Sequence, residues 1–231
     1  MMKSGLPMRV APLALTMLLG ACGNAPPVPR WESNAASLMG NYQSDWLEGH
    51  ESLARREFAL AVKATAATGN PAQLARLYLV QCGLRRAALD WRSCAEYAHW
   101  AGAAPDPREA TYAQFLEGDW AGLRGALLPH QYAGIPALDH APASRLNGAL
   151  EDIADPLSRL IAASVAIKRG QGDAQTLELA SAAAARQGWR RPLLAWLKLR
   201  LAAAKERKDG VAEALLAQRI QLVESSFSSK E

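Results

Sequence analysis

The sequence lacks the patterns that predict β-structure. No run of alternating apolar and polar residues is long enough for a strand, and runs of β-branched residues are missing. A half-buried strand needs that alternation because its side chains point to opposite faces in turn. Alanine and leucine dominate instead, and apolar residues recur three and four positions apart, as in Leu157, Leu160 and Ile161. The sequence therefore predicts an all-α fold.

Motifs that carry catalysis are also missing. The sequence has no nucleophile elbow, no metal-protease helix motif and no phosphate-binding loop. The carboxylates Glu151, Asp152 and Asp155 lie together, but they fall close to predicted helix ends, where capping roles are commoner than catalytic ones. We therefore expect neither an enzymatic activity nor a cofactor.

A continuous basic stripe, which a nucleic-acid-binding surface requires, does not occur either. The chain has 26 basic and 22 acidic residues. Loss of residues 1–21, which include Lys3 and Arg9 but no acidic residue, would leave 24 basic and 22 acidic residues, a net charge of +2. The arginine pairs at 55–56, 85–86 and 190–191 are scattered along the chain and are predicted to be solvated helix surface. No nucleic-acid partner is expected.

The N-terminus contains a recognisable leader. Lys3 and Arg9 precede a short apolar run that ends in Leu19-Gly20-Ala21-Cys22. The run is too short for a transmembrane helix, which needs roughly 20 apolar residues. The leader resembles the signal of bacterial lipoproteins. That resemblance implies that residues 1–21 are a signal peptide and that Cys22 carries a covalent lipid, which attaches the protein to a bilayer. An ordinary secreted protein, whose leader happens to contain a cysteine, is the alternative.

The residue after the cysteine bears on the destination. Lipoproteins that stay in the inner membrane typically have Asp there, whereas this chain has Gly23. The resemblance therefore implies the outer membrane, with the protein facing the periplasm. The chain also looks like proteobacterial lipoproteins of similar length, a resemblance that implies no activity. Residues 22–32 follow as a Pro-rich linker. Its arm, residues 24–30, would at about 3.1 Å per residue hold the folded part roughly 20–30 Å from the bilayer.

Two cysteines remain if Cys22 is lipidated. Cys82 and Cys94 are an even pair in an oxidising compartment, so a disulfide is expected, and it would stabilise the fold by roughly 3 kcal/mol. Two buried free thiols or a redox pair are the alternatives. We predict that Asp90 caps a second helix, which places Cys94 in its first turn opposite Cys82, with residues 84–89 as the connection. No set of ligands for a zinc site accompanies the two cysteines.

Glycines recur along the helical region, 33–227, at intervals of 34, 35, 54 and 38 residues, a period near 35 with one extra piece between Gly118 and Gly172. They are expected at helix-to-helix turns, and prolines are expected to open several helices. The turns and the prolines are Gly49, Gly83, Gly118, Gly172 and Gly210, and Pro71, Pro105, Pro156 and Pro192.

The period of these turns resembles that of tetratricopeptide repeats, in which stacked helix pairs share one core. Tyr42 to Ala61 matches best, with Tyr42 on a first helix and Ala54, Phe58 and Ala61 on a second. The resemblance implies an α-solenoid of about five helix pairs. An irregular α-helical domain is the alternative.

The segment 128–142 interrupts the repeat. It is rich in Pro and Gly and contains two of the four histidines. His130, Tyr132, Asp139 and His140 are its candidate binding residues, because long irregular segments often carry function. A connection packed on the solenoid is the alternative. A metal site formed by its two histidines and Asp139 is a further possibility, although no metal is assigned.

Two functional hypotheses follow. In the first, the protein is a membrane-anchored scaffold that binds a protein partner in envelope assembly or secretion, as the lipoprotein and repeat resemblances together imply. In the second, it binds or hydrolyses a cell-wall polymer, or binds a small ligand, through the 128–142 segment. The seven tryptophans do not discriminate between them, because aromatic residues at helical spacing can form a core or line a groove.

Overall fold

The computed structural model describes residues 29–227, so the predicted signal peptide and Cys22 lie outside the described range. Within that range the protein has ten α-helices and no β-strand. The all-α prediction is confirmed. The helices are α1 (Arg30–Glu48), α2 (Glu51–Ala66), α3 (Pro71–Ala87), α4 (Ala95–Ala101), α5 (Pro107–Leu116), α6 (Ala143–Asp152), α7 (Pro156–Lys168), α8 (Ala174–Arg186), α9 (Arg190–Glu206) and α10 (Gly210–Ser225).

Neighbouring helices in the chain pack against each other. α1 packs against α2, α3 against α4, and α9 against both α8 and α10. Two further contacts join distant parts of the chain, because α3 packs against α7 and α1 packs against α9. Helices from the two halves of the chain therefore share a core. None of the helices between residues 29 and 227 combines the length and hydrophobicity that crossing a bilayer requires.

The helix starts follow local capping rules. Asn70 and Asp155 each accept a hydrogen bond from the first turn of α3 and α7, and Pro71 and Pro156 occupy the first helical positions, as predicted. Pro105 precedes α5, which Pro107 opens instead. α1 begins at Arg30, so the last residues of the predicted 22–32 linker are already helical.

The predicted glycine turns are correct at Gly49, Gly118 and Gly172, the last of which lies between α7 and α8. Gly49 ends α1 with φ 87° and Gly118 follows α5 with φ 74°, a conformation that glycine adopts without steric cost. The prediction for Gly83 is wrong, since this residue lies inside α3. A Cβ there would stand 2.9 Å from the Tyr112 hydroxyl, so this glycine lets α5 approach α3 closely. Gly210 opens α10 and does not form the turn before it.

The disulfide prediction is confirmed, although the predicted local structure around it is wrong. Cys82 and Cys94 are bonded, with Cα atoms 5.8 Å apart. α3 continues to Ala87, and α4 starts only at Ala95, so Asp90 does not cap a helix. Its carboxylate instead accepts a hydrogen bond from the backbone N–H of Arg92 and pairs with the side chains of Arg85 and Arg92.

The Arg86 side chain organises the turn between α3 and α4. It is completely buried, which corrects its prediction as solvated surface. Its Nε donates to the Leu116 carbonyl (3.1 Å) and Nη1 to the carbonyls of Asp90 (2.6 Å) and Arg92 (3.1 Å). Nη2 donates to Glu117 Oε1 at 2.7 Å and to Cys94 Sγ at 3.3 Å. All five N–H donors of the guanidinium therefore have an acceptor.

The irregular segment is longer than predicted. Residues 117–142 contain no α-helix, only three short 3-10 turns, at Gly125–Leu127, His130–Tyr132 and Pro136–Leu138. Its apolar side chains enter the main core, where the ring of Tyr132 stacks on Phe115 with centroids 5.0 Å apart. The backbone also packs closely, because a Cβ at Gly125 would overlap the carbonyl oxygen of Ala133.

Replacing Arg86 should destabilise the protein strongly. Arg86→Leu would leave the carbonyls of Asp90, Arg92 and Leu116 without a buried donor, and we expect a loss of about 3 kcal/mol in the free energy of unfolding. Urea denaturation followed by circular dichroism, with the disulfide intact, measures it. Arg56→Leu, at an exposed position on α2, is the control and should change stability by less than about 0.5 kcal/mol. Equal effects of the two substitutions would contradict the role given to Arg86.

Two glycines of the irregular segment should differ sharply in their tolerance of alanine. Gly125→Ala would push apart the two backbones that meet at Ala133, and we expect a loss of about 1–3 kcal/mol in stability. A Cβ at Gly134 meets nothing within 4 Å, so Gly134→Ala should be neutral or slightly stabilising. Chemical denaturation of the two variants in parallel tests the packing. A harmless Gly125→Ala would show that the segment is held loosely.

Candidate functional site

The four predicted residues of segment 128–142 occupy different environments. Tyr132 is buried, and burial raises the pKa of its hydroxyl to about 12. Asp139 accepts hydrogen bonds from Arg169 (2.6 Å) and Gln171 (2.7 Å), and the bond from Arg169 lowers its pKa. His130 and His140 are exposed. Two of the four side chains thus hold the segment in place and two face solvent.

A shared metal centre is not assembled from these residues. In the described part of the chain, the Cys, His, Asp and Glu side chains that place three ligand atoms within 4.8 Å of one another are Cys82, Cys94 and Glu117. Two of them form the disulfide and so cannot act as thiolates. His130, Asp139 and His140 do not come together in this way.

The tryptophans divide between core and surface depressions. Trp120 and Trp196 are buried, and the Trp196 indole N–H donates to the Ala87 carbonyl at 2.9 Å. Trp91 lies between two cations, with Arg86 4.9 Å and Lys168 4.6 Å from its ring centre. Trp31 lines a cavity at the surface, and Trp46, which is buried in a core cluster with Tyr42 and Leu47, lines another. The alternatives of core and groove therefore both apply, and Trp46 belongs to both.

An apolar groove runs beside α3. It consists of two adjoining cavities, of about 290 and 240 Å³, that share Arg76 and Val80. We call it the α3 groove. Its lining comes from the first half of α1, the end of α2, α3, α5 and the middle of the irregular segment. The lining residues are Trp31, Ala35, Ala36, Met39, Leu77, Leu79, Val80, Tyr112, Leu127, Leu128 and Pro129, with polar Glu32, Thr65, Gln73, Arg76, Arg108 and Glu109.

The middle of the α3 groove combines an exposed apolar side chain with an ion pair. Val80 remains 45% exposed although it lies on a helix whose other face is in the core. Beside it, Arg76 Nε donates to Glu109 Oε1 at 2.8 Å and connects α3 to α5 across the groove. An open apolar channel of this kind is the usual form of a surface that binds a peptide segment.

The remaining charges give the α3 groove two different ends. Because Glu109 neutralises Arg76, the surplus positive charge belongs to Arg108 at the α5 end. Glu32 supplies a negative charge at the α1 end. The groove is therefore apolar along its length, basic at one end and acidic at the other.

Most of this site could not be read from the sequence. Val80 and Arg76 lie in an ordinary amphipathic helix. Their place in the groove depends on α1 and α5, which flank them and leave them exposed. For Tyr112 the sequence contained a weak indication of a structural role, because residues 112–123 repeat part of the pattern described for Tyr42 to Ala61. The 128–142 segment contributes only its first two residues to the groove lining.

Comparison with known proteins adds no assignment. No protein family, curated protein or solved structure gives a significant match to the chain.

Proposed function

We propose that this protein is a membrane-anchored helical scaffold that holds a segment of a protein partner, from envelope assembly or secretion, in the α3 groove. The anchor is the lipid expected on Cys22, and the groove is the receptor. The protein would then act by binding and positioning its partner, without catalysing a reaction.

The observation that carries the proposal is the continuity of the apolar lining. Side chains from α1, α3 and α5 form one channel, and Val80 stands exposed in its middle. Exposed apolar surface that is continuous, concave and bordered by charge marks interaction sites in soluble domains. α3, the helix that runs along the groove, is held at its end by Arg86 and the disulfide.

The charges of the groove define the partner's chemistry. A complementary segment presents apolar side chains along its length, an acidic residue toward Arg108 and a basic residue toward Glu32. Complementary charges at the two ends would set the direction in which the segment lies. The apolar contacts would supply most of the affinity.

In-cell photo-cross-linking from the groove tests the proposal. A photoreactive residue at Ala36, an exposed position on the α1 side, should trap one dominant envelope protein that mass spectrometry identifies. A second change, Val80→Arg, fills the channel with a charged side chain and should lower the adduct about tenfold or more. Arg108→Glu should lower it as well, because the basic end of the groove is reversed.

The control is a photoreactive residue at Leu222, an apolar position on α10 that is 67% exposed and lies outside the groove. It should not trap the same protein. Circular dichroism of the Val80→Arg variant should show an unchanged fold, because the side chain points to solvent. The proposal fails if both positions trap the same protein, or if Val80→Arg leaves the Ala36 adduct unchanged.

A further inference from the structure

A second concave surface lies where the end of α1, the start of α2, the end of α3 and the first half of α9 meet. It consists of two adjoining cavities of about 530 and 300 Å³ that share Trp46, Glu51 and Arg92 in their lining. We call it the arginine cleft. The α3 groove uses the first half of α1 and this cleft uses the second half, so the two surfaces are separate.

The arginine cleft gathers residues that are scattered along the sequence. Arg55, Arg85 and Arg191 belong to the three arginine pairs, and Arg92 comes from the turn between α3 and α4. The prediction that these pairs are simply dispersed on solvated helix faces is therefore wrong. Folding brings one member of each pair to a common depression.

The cleft has more positive than negative charge. Two carboxylates pair with four guanidinium groups. Glu51 pairs with Arg191 (2.6 Å) and Arg55 (3.5 Å). Asp90 pairs with Arg92 (2.5 Å) and Arg85 (3.2 Å). Burial opposes ionisation of Glu51 and Asp90, but hydrogen bonds from Arg191 and Arg92 outweigh it and lower the pKa of both carboxyls, that of Asp90 to about 2. At neutral pH both carboxylates stay ionised. The fifth cation of the lining, Lys198, is paired with Glu224 outside the cleft at 2.9 Å, so two positive charges remain in surplus.

The inner part of the cleft is rigid and the outer part is open. Arg191 Nε donates to the Trp46 carbonyl at 2.6 Å, and its guanidinium lies 4.7 Å from the Trp46 ring centre. Arg85 is 15% exposed and is held by Asp90. Arg55 and Arg92 are 76% and 75% exposed at the rim, where they can turn from a carboxylate to a ligand.

The floor between these charges is apolar. Trp46, Ala88, Leu194 and Ala195 line the larger cavity. Guanidinium groups bind phosphate oxygens through paired hydrogen bonds, and two surplus positive charges match a dianionic phosphate. We propose that the arginine cleft binds a phosphate monoester that carries an apolar group, with the phosphate between Arg55, Arg92 and Arg191 and the apolar group on the Trp46–Leu194 floor.

Isothermal titration calorimetry with phenyl phosphate tests this directly. The full-length protein in detergent should bind phenyl phosphate and should bind inorganic phosphate more weakly, because the latter leaves the apolar floor empty. Arg55→Gln and Arg92→Gln should each weaken phenyl phosphate binding about tenfold. Both side chains lie at the rim, so the thermal unfolding curves of the variants should stay close to that of the unchanged protein.

Arg56→Gln provides the matched control, since it removes the same charge from the adjacent exposed position outside the cleft. It should leave binding unchanged. The proposal is overturned if phenyl phosphate does not bind at millimolar concentration, if Arg55→Gln and Arg92→Gln leave binding intact, or if Arg56→Gln weakens it equally.

Vesicle co-sedimentation separates the two sources of such a phosphate. Phosphatidylcholine vesicles that contain phosphatidic acid should retain the protein through the cleft, in an Arg92-dependent way, if the natural ligand is a lipid headgroup. For this arm the protein should lack its lipid anchor, through Cys22→Ser, and the part of the vesicle binding that Arg92→Gln removes reports the cleft. Binding of phenyl phosphate without vesicle binding would assign the site to a free phosphate ester.

Discussion

The buried guanidinium of Arg86 fixes the end of α3, and the positions of the neighbouring turn and helix ends depend on it. A buried cation costs several kcal/mol unless its donors are matched, and this one is matched by three carbonyls, a carboxylate and the disulfide sulfur. The same bonds hold the turn after α3, the end of α5 and the start of α4. Because α3 contributes residues to both the α3 groove and the arginine cleft, the shape of each surface depends on this one side chain.

The features that the sequence predicted correctly are those decided within a few residues. Proline at the first position of a helix, as at Pro71 and Pro156, and a glycine with positive φ, as at Gly49, are local choices of the backbone. The pairing of Cys82 with Cys94 is also short-range, since it spans 12 positions. The helix placement of residues 42–61 is correct for the same reason: Ala54 and Ala61 are buried on α2, and Phe58 contacts Tyr42 of α1.

The features that the sequence did not predict depend on contacts between distant residues. From the sequence Gly83 was expected in a turn, but it lies in a helix against Tyr112. Arg86 was expected at the surface, but Glu117 and the turn carbonyls surround its buried side chain. Asp90 resembled a helix cap, but two arginine partners hold it in a loop. Trp46 and Arg191, which meet in the cleft, are 145 positions apart. Periodicity along a chain does not encode such encounters, so neither surface could be located in advance.

α1 borders both surfaces. Its first half forms one wall of the α3 groove and its second half forms one wall of the arginine cleft, where Arg191 of α9 hydrogen-bonds to the Trp46 carbonyl. A substitution that shifts α1 as a whole would therefore alter both surfaces at once. Through this helix, the groove and the cleft cannot be reshaped independently.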